Sequence, residues 1–254
     1  VWTENDFPHP LKLNCTTDAI ASLAKPCVKT DGLLPFVISR MARYHDKVKA
    51  CGCHYRFACS RGPLNIASFL FGTTDFMMAL ALTPDEVQKA LTVITDFIID
   101  WLELQHEKFP DIKGVLILDD IVGFLGQSDF ETFVLPHLKR IYATFNPEVG
   151  FFHNDAAGLV TASYLKETGI NPTVIRAGEA NMFLSKVFRD ILSSLTSTVI
   201  TLYNTDGSVG AARGAGIGCG FYKTEEEAFH GLEVTGSSEP DHRMALIYDA
   251  RYNE

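Results

Sequence analysis

Nowhere in this chain do about eighteen apolar residues follow one another, so a membrane-spanning helix is not expected. The most apolar stretch, FLFGTTDFMMALAL, is interrupted by Gly72, Thr73, Thr74 and Asp75. Positive charge is also in short supply: 22 Lys and Arg face 31 Asp and Glu, a net charge of −9. An acidic surface cannot displace counterions from a phosphate backbone, which excludes nucleic acid as a partner. Cysteine is sparse, with six in 254 residues at positions 15, 27, 51, 53, 59 and 219. So few fit reduced thiols of a cytoplasmic protein better than a disulfide framework. Val1 is not followed by a charged-then-apolar leader, and the chain has no repeat or low-complexity segment.

What is present reads as βα units. The 46% hydrophobic content and the length allow one large α/β domain or two modest ones. Residues 1–31, with prolines at 8, 10 and 26, read as irregular, and the apolar spacing from Gly32 to Ala50 is helical. HYRFACS is a strand stopped by Gly62-Pro63, and LNIASFLFG a short helix. Thr83-Pro84-Asp85-Glu86 opens a helix to about Lys108, with threonine as N-cap and proline in the first turn. GVLILD is a strand, a capping box at Ser128 begins a helix to about Phe145, and VGFFHND is a third strand. LVTASYLKET closes at Gly169 in a left-handed C-cap. PTVIRAG and STVITLY are two more strands, with NMFLSKVFRDILSSL as a helix between them. They are expected to extend the sheet to five strands and cover an open edge. A capping box at Thr224 opens another helix, and the tail from Gly236 reads as polar and loosely held, with MALIY as a docking segment. Strands alternating with long helices imply a parallel sheet. The compositional boundary near Asn171-Pro172 divides the chain into residues 1–170 and 171–254.

In parallel α/β folds ligands sit beyond the carboxyl ends of strands. Three of these ends carry polar groups: Cys59-Ser60-Arg61, Asp119-Asp120 and His153-Asn154-Asp155. Asp119, Asp120 and His153 are therefore the candidate catalytic residues, two close carboxylates being able to share a proton or hold a cation. Arg61, Gly62, Asn154 and Asp155 are the candidate substrate-binding residues, Arg61 as an anion clamp. For each aspartate the competing reading is a cap on the turn that follows the strand.

Two further clusters call for a reading. CGCHYRFAC gathers thiolates and imidazole, but Cys51-x-Cys53 is too tight for a zinc knuckle, and small buried thiols are the simpler expectation. NTDGSVGAARGAGIGCG follows a strand and invites a phosphate cradle through Asp206, Gly207, Gly210 and Gly214, yet no Gly-Lys-Ser/Thr closes it. Gly210, Gly214 and Gly218 fall on one helix face, which points equally to a helix packed tightly on its sheet.

Residues 20–168 resemble the uroporphyrinogen decarboxylase superfamily, which includes cobalamin- and coenzyme-M-type methyltransferases. The resemblance is carried by Gly62-Pro63-Leu64-Asn65-Ile66-Ala67, the helix after Thr83-Pro84, LILDDIVGFLGQSDFETFVLPHLKRI and FFHND. It implies part of a TIM barrel with a tetrapyrrole or corrinoid-linked substrate. It also sets two departures: Phe69 stands at the family's active-site tyrosine, and Asp155 at the cysteine of the zinc-binding His-x-Cys that begins at His153. Residues 172–234 resemble the C-terminal part of xylulose kinases of the FGGY carbohydrate kinase family, through VIRAGEANMFLSKVFRDIL, TLYNTDGSVGAARGAGIG and EEAFHGLE. That resemblance implies an actin-like ATPase fragment using ATP and Mg.

The expectations are thus an α/β parallel sheet, a barrel-like portion followed by an ATPase-type fragment, and a small-molecule substrate. The first reading is a decarboxylase- or methyltransferase-like protein with zinc as the candidate metal. The alternatives are a sugar-kinase relative and a non-catalytic fusion product. A homo-oligomer is compatible with all three. Under the first reading Asp119→Asn weakens ligand binding while the fold survives.

Overall fold

The structure, a computed structural model, describes residues 13, 16–156, 159–170 and 174–252. It consists of two compact units, Val1–Ile170 and Asn171–Glu254.

The first unit is built on three parallel strands, β1 (Phe57–Arg61), β2 (Gly114–Leu118) and β3 (Val149–His153), in that spatial order. Its helices are α1 (Thr17–Ala21), α2 (Leu34–Ala50), α3 (Pro63–Phe71), α4 (Thr73–Leu82), α5 (Pro84–Lys108), α6 (Gln127–Phe133), α7 (Leu135–Phe145) and α8 (Leu159–Ser163). The register aligns Ala58 with Val115 and Gly150, and Arg61 with Leu118 and His153. Because strand side chains alternate between faces, one face carries Ala58, Ser60, Val115 and Ile117. These four are buried, the three apolar ones in a core with Leu64, Ala67, Leu91, Ile98, Leu102, Leu138 and Ile141 from the helices. The opposite face carries Cys59, Val149 and Phe151, all exposed.

Several local expectations are corrected. Thr83 precedes α5 and Pro84 opens it, but the Thr83 hydroxyl donates back to Ala79 O rather than capping α5. The helix expected from Ser128 to Phe145 begins at Gln127 and is two helices, broken at Val134 where Pro136 enters the first turn of α7. TTDFMMALAL, read only as an apolar patch, is α4, set off from α3 by Gly72 at φ +84°. The segment before Gly169 is helical only to Ser163, yet its end is as expected. Gly169 has φ +90°, its N–H reaches Lys166 O, and the Ile170 N–H reaches Leu165 O, a Schellman closure. The five cysteines among the described residues are exposed, not buried; Cys15 lies outside the described residues. No single helix among the described residues is long and apolar enough to cross a membrane; α3 and α4 pass only together and are bent by 109°.

The second unit has its own sheet: β4 (Val174–Gly178) parallel to β5 (Val199–Tyr203), and β6 (Val234–Ser238) antiparallel to β5. Among the described residues the expected five-stranded sheet is not formed; their strands divide three and three. Its helices are α9 (Lys186–Thr196), α10 (Gly207–Gly218), α11 (Glu225–Ala228) and α12 (His242–Tyr252). Ser185 caps α9, so the expected helix starts late, after a 3-10 turn over Asn181–Leu184. Thr224 caps α11 as expected, accepting from Glu227 N. The tail expected to be loose supplies β6 and α12. Ser193 of α9 ties this region down by donating to Thr198 O and Ser238 O.

Candidate functional site

Leu118 ends β2, and the two aspartates after it part company. With side chains alternating along a strand, Asp119 continues the parity of Val115 and Ile117 and points to the helix side. Asp120 continues the parity of Leu118 and points to the open side. Asp119 is fully buried, and its carboxylate accepts from Leu64 N at 2.9 Å and Asn65 N at 3.0 Å, the first amides of α3. Burial pushes its carboxyl up to about 7, outweighing the hydrogen bonds from Leu64, Asn65 and Ile121 N–H, while the Asp120 charge adds to the rise. A Cβ on Gly62 would lie 2.3 Å from Asp119 Oδ2. Gly62 is therefore glycine because the carboxylate lies against its Cα, and Asp119 is the internal cap of α3. The role the structure gives both is at the start of α3, on the helix side of the sheet, where the Asp119 carboxylate is engaged with backbone N–H groups.

Asp120, His153, Asp155 and Arg61 do come together. Asp120 Oδ1 accepts from the Asp155 N–H at 2.9 Å and lies 4.0 Å from His153 Nδ1. His153 Nε2 lies 3.4 Å from Asp155 Oδ1. Arg61 Nη1 is 3.9 Å from Asp120 Oδ2, and its guanidinium sits 5.9 Å from the centre of the Phe69 ring. Asn154 shapes the loop, its Oδ1 accepting from Ala156 N at 2.7 Å. Asn65 belongs to the Gly-Pro-Leu-Asn motif, which by itself assigns it no role. It is buried, bonds Leu118 O, reaches Asp120 Oδ2 at 3.5 Å and accepts from Ile121 N. Only a partner at each amide and carbonyl explains a buried asparagine, and sequence does not display those partners.

The donor set for a metal is oxygen and nitrogen. One atom each from Asp120, His153 and Asp155 can be chosen within 4.8 Å of one another. His153 Nδ1 is closed off from solvent and has no hydrogen-bond partner among the described residues. These residues do not fit the thiolate-rich zinc of the His-x-Cys pattern, since the sulfur is replaced by a carboxylate.

In the second unit Asp206 caps α10, accepting from Val209 N at 2.8 Å and from the Ser208 hydroxyl at 2.6 Å. A carboxylate already fills the place where a phosphate would sit, and like charges repel. A methyl group added to Gly207, Gly210, Gly214 or Gly218 would meet nothing within 4 Å. The expected close packing of this helix face on its sheet is therefore absent.

The fold and these strand ends define an α/β protein with a polar site at the carboxyl edge of a parallel sheet. Residues 3–183 match the family model for uroporphyrinogen decarboxylase (URO-D), and since that is more than half of the chain, the protein belongs to this family. Among 18 solved chains that match is a methyltransferase from Methanosarcina mazei, at 17% identity and a TM-score of 0.57. The alignment covers 76% of this chain and 54% of that one, so this chain spans about half the length of that protein. At this identity the likeness shows the fold alone. No curated protein sequence matches the chain. Neither match supports a kinase-like reading of residues 172–234, and the family match itself runs into that segment, to residue 183.

Proposed function

We propose that the first unit is a partial barrel that binds an anionic small molecule, a tetrapyrrole or corrinoid-linked compound, beyond the ends of β1, β2 and β3. The observation that carries this reading is the convergence of Arg61, Asp120 and His153 from three different strand ends. Arg61 supplies the positive charge for a ligand carboxylate, and its loose, exposed pairing with Asp120 leaves the guanidinium free to turn toward a ligand. The exposed Phe69 ring beside it offers an apolar face for a planar macrocycle. In this reading Asp120 and His153 hold or move a proton at the ligand. Membership of the family supports a decarboxylase- or methyltransferase-like chemistry, and the substrate is the part argued from the site. A non-catalytic binding protein would share this geometry, whereas the ATP-binding alternative is opposed by the Asp206 cap.

Titration with uroporphyrin and with hydroxocobalamin, followed by absorbance and fluorescence, tests the reading. Saturable binding of one of them is expected, weakened about tenfold by Arg61→Ala or His153→Ala, equivalent to about 1.4 kcal/mol. Binding of neither, by a protein that melts cooperatively, would remove the proposal.

A further inference from the structure

We propose that α2 docks the first unit on an anionic membrane surface, lying along the lipid headgroups without crossing them. α2 carries none of the strand-end residues, so membrane binding and ligand binding at the strand ends are independent. Although α2 is 17 residues long, none of its residues is buried. Leu34 and Ile38 rest against the cluster of Val28, Trp101 and Leu104, and Met41 against the main core. Residues three, four and seven apart share a helix face. The side turned from the core begins with Leu33, Phe36 and Val37, which are 46%, 51% and 38% exposed. Arg40, Arg43 and Lys47 continue that side and are exposed as well.

Charge tells what this face meets. α2 holds four basic residues and one acidic residue, Asp46, in a chain of net charge −9. Lys49 pairs with Asp111 at 2.7 Å. Arg40, Arg43 and Lys47 have no ion pair among the described residues. Arg40 and Lys47 instead converge on the Tyr44 ring, 4.7 and 5.4 Å from its centre. Two cations on one ring, neither paired with a carboxylate, concentrate a positive potential that an anionic surface would answer.

A bilayer suits this face better than a protein does. α2 is held to the core along its opposite side, so a groove that wraps a helix cannot close round it. A stable protein partner engages about 20–30 residues a side, and the free side of α2 offers far fewer. A fluid bilayer needs no matching shape. It can take up Phe36, Leu33 and Val37 to a depth of about 5–10 Å, while its anionic headgroups meet the basic turns that follow. Tyr44, apolar at its ring and polar at its tip, belongs at the level between them.

The full chain is sedimented with vesicles of phosphatidylcholine alone and of phosphatidylcholine with about one-third phosphatidylserine. Binding is expected to the mixed vesicles only, falling roughly tenfold or more in about 1 M salt, where screening shortens to about 3 Å. Arg40→Glu with Lys47→Glu should weaken it roughly tenfold or more at an unchanged melting curve, both side chains being exposed. Lys139→Glu on α7, the same change of charge away from this face, should leave binding as it is. Phe36→Trp should add an emission that moves to the blue on the mixed vesicles, a sign of insertion that charge contact alone does not give. No binding by the folded protein, equal binding to both kinds of vesicle, or binding that survives the double variant would each overturn the proposal. Equally tight capture of polyglutamate, with no blue shift from position 36, would overturn it in favour of an acidic protein partner.

Discussion

Asp119 and His137 are two buried ionisable side chains whose protons pull stability in opposite directions. His137 is buried with Nδ1 2.9 Å from the Thr95 hydroxyl and Nε2 3.0 Å from Gln88 Oε1. Gln88 Nε2 already donates to Thr132 O, so Oε1 accepts from the His137 Nε2–H of the neutral ring. Burial, with Arg140 nearby, pushes the imidazole down from 6.5 to about 4. Its contribution to stability is present above pH 6.5 and is lost as pH falls toward 4. Asp119, raised from 3.8 to about 7, contributes stability that is present below pH 3.8 and is lost as pH rises toward 7. Between about pH 4 and 6.5 the two slopes, each up to about 1.4 kcal/mol per pH unit, oppose each other. Urea unfolding across this window should therefore show a shallow pH dependence in the unaltered protein. Asp119→Asn should lose about 1–3 kcal/mol, because an amide can offer only one oxygen to the two α3 N–H groups. In that variant stability should rise with pH across the window, the His137 slope being unmasked. An Asp119→Asn protein of unchanged stability would contradict the internal-cap role.

At the scale of an element, the free side of β1 is managed by a helix rather than by a strand. Gln105 of α5 is buried; its Oε1 accepts from Cys59 N at 3.0 Å and its Nε2 donates to Cys59 O at 3.0 Å. The Trp101 indole N–H adds a second donor to the same carbonyl at 3.0 Å. One side-chain amide thus imitates the pairing a neighbouring strand would supply, which blunts the edge against pairing with other chains. Gln105→Ala strands the Cys59 N–H and should cost about 1–3 kcal/mol. Faster amide exchange at Cys59, measured alongside the melting curve, separates loss of this cap from a general loss of packing. The same helix shows what periodicity reveals: Val87, Leu91, Ile94, Ile98 and Trp101 face inward as their spacing dictates.

Taken as a whole molecule, the two units differ in what they bury. The first has a continuous core running from Ile20 to Tyr164, whereas the second buries only Ala177, Ile200 and Leu202 together among its described residues, with Ile175, Phe183 and Leu192 at their margin. Since hydrophobic stabilisation scales with buried apolar area, the second unit should be the weaker one. Scanning calorimetry should resolve two transitions, with the lower one carrying the smaller enthalpy. A single transition with equal calorimetric and van't Hoff enthalpies would show that the units do not unfold separately. The first unit also leaves a sheet face with Val149 and Phe151 exposed, unusual for parallel strands, which are ordinarily covered on both sides.

Sequence alone determined the three strands of the first unit, their parallel order through intervening helices, and the polar character of their ends. Those properties are local: alternation of side chains, proline and glycine stops, and apolar spacing along helices. The family resemblance too was legible, in Gly62-Pro63-Leu64-Asn65 and in the LILDD and FFHND strand ends. Tertiary structure decided which of two adjacent aspartates is buried, because the answer depends on which face of the sheet the helices cover. It also decided that β4 and β5 pair with β6 instead of lengthening the first sheet, and that Asp206 closes a helix end. Each of these is a choice among partners distant in the chain, which no local pattern of residues records.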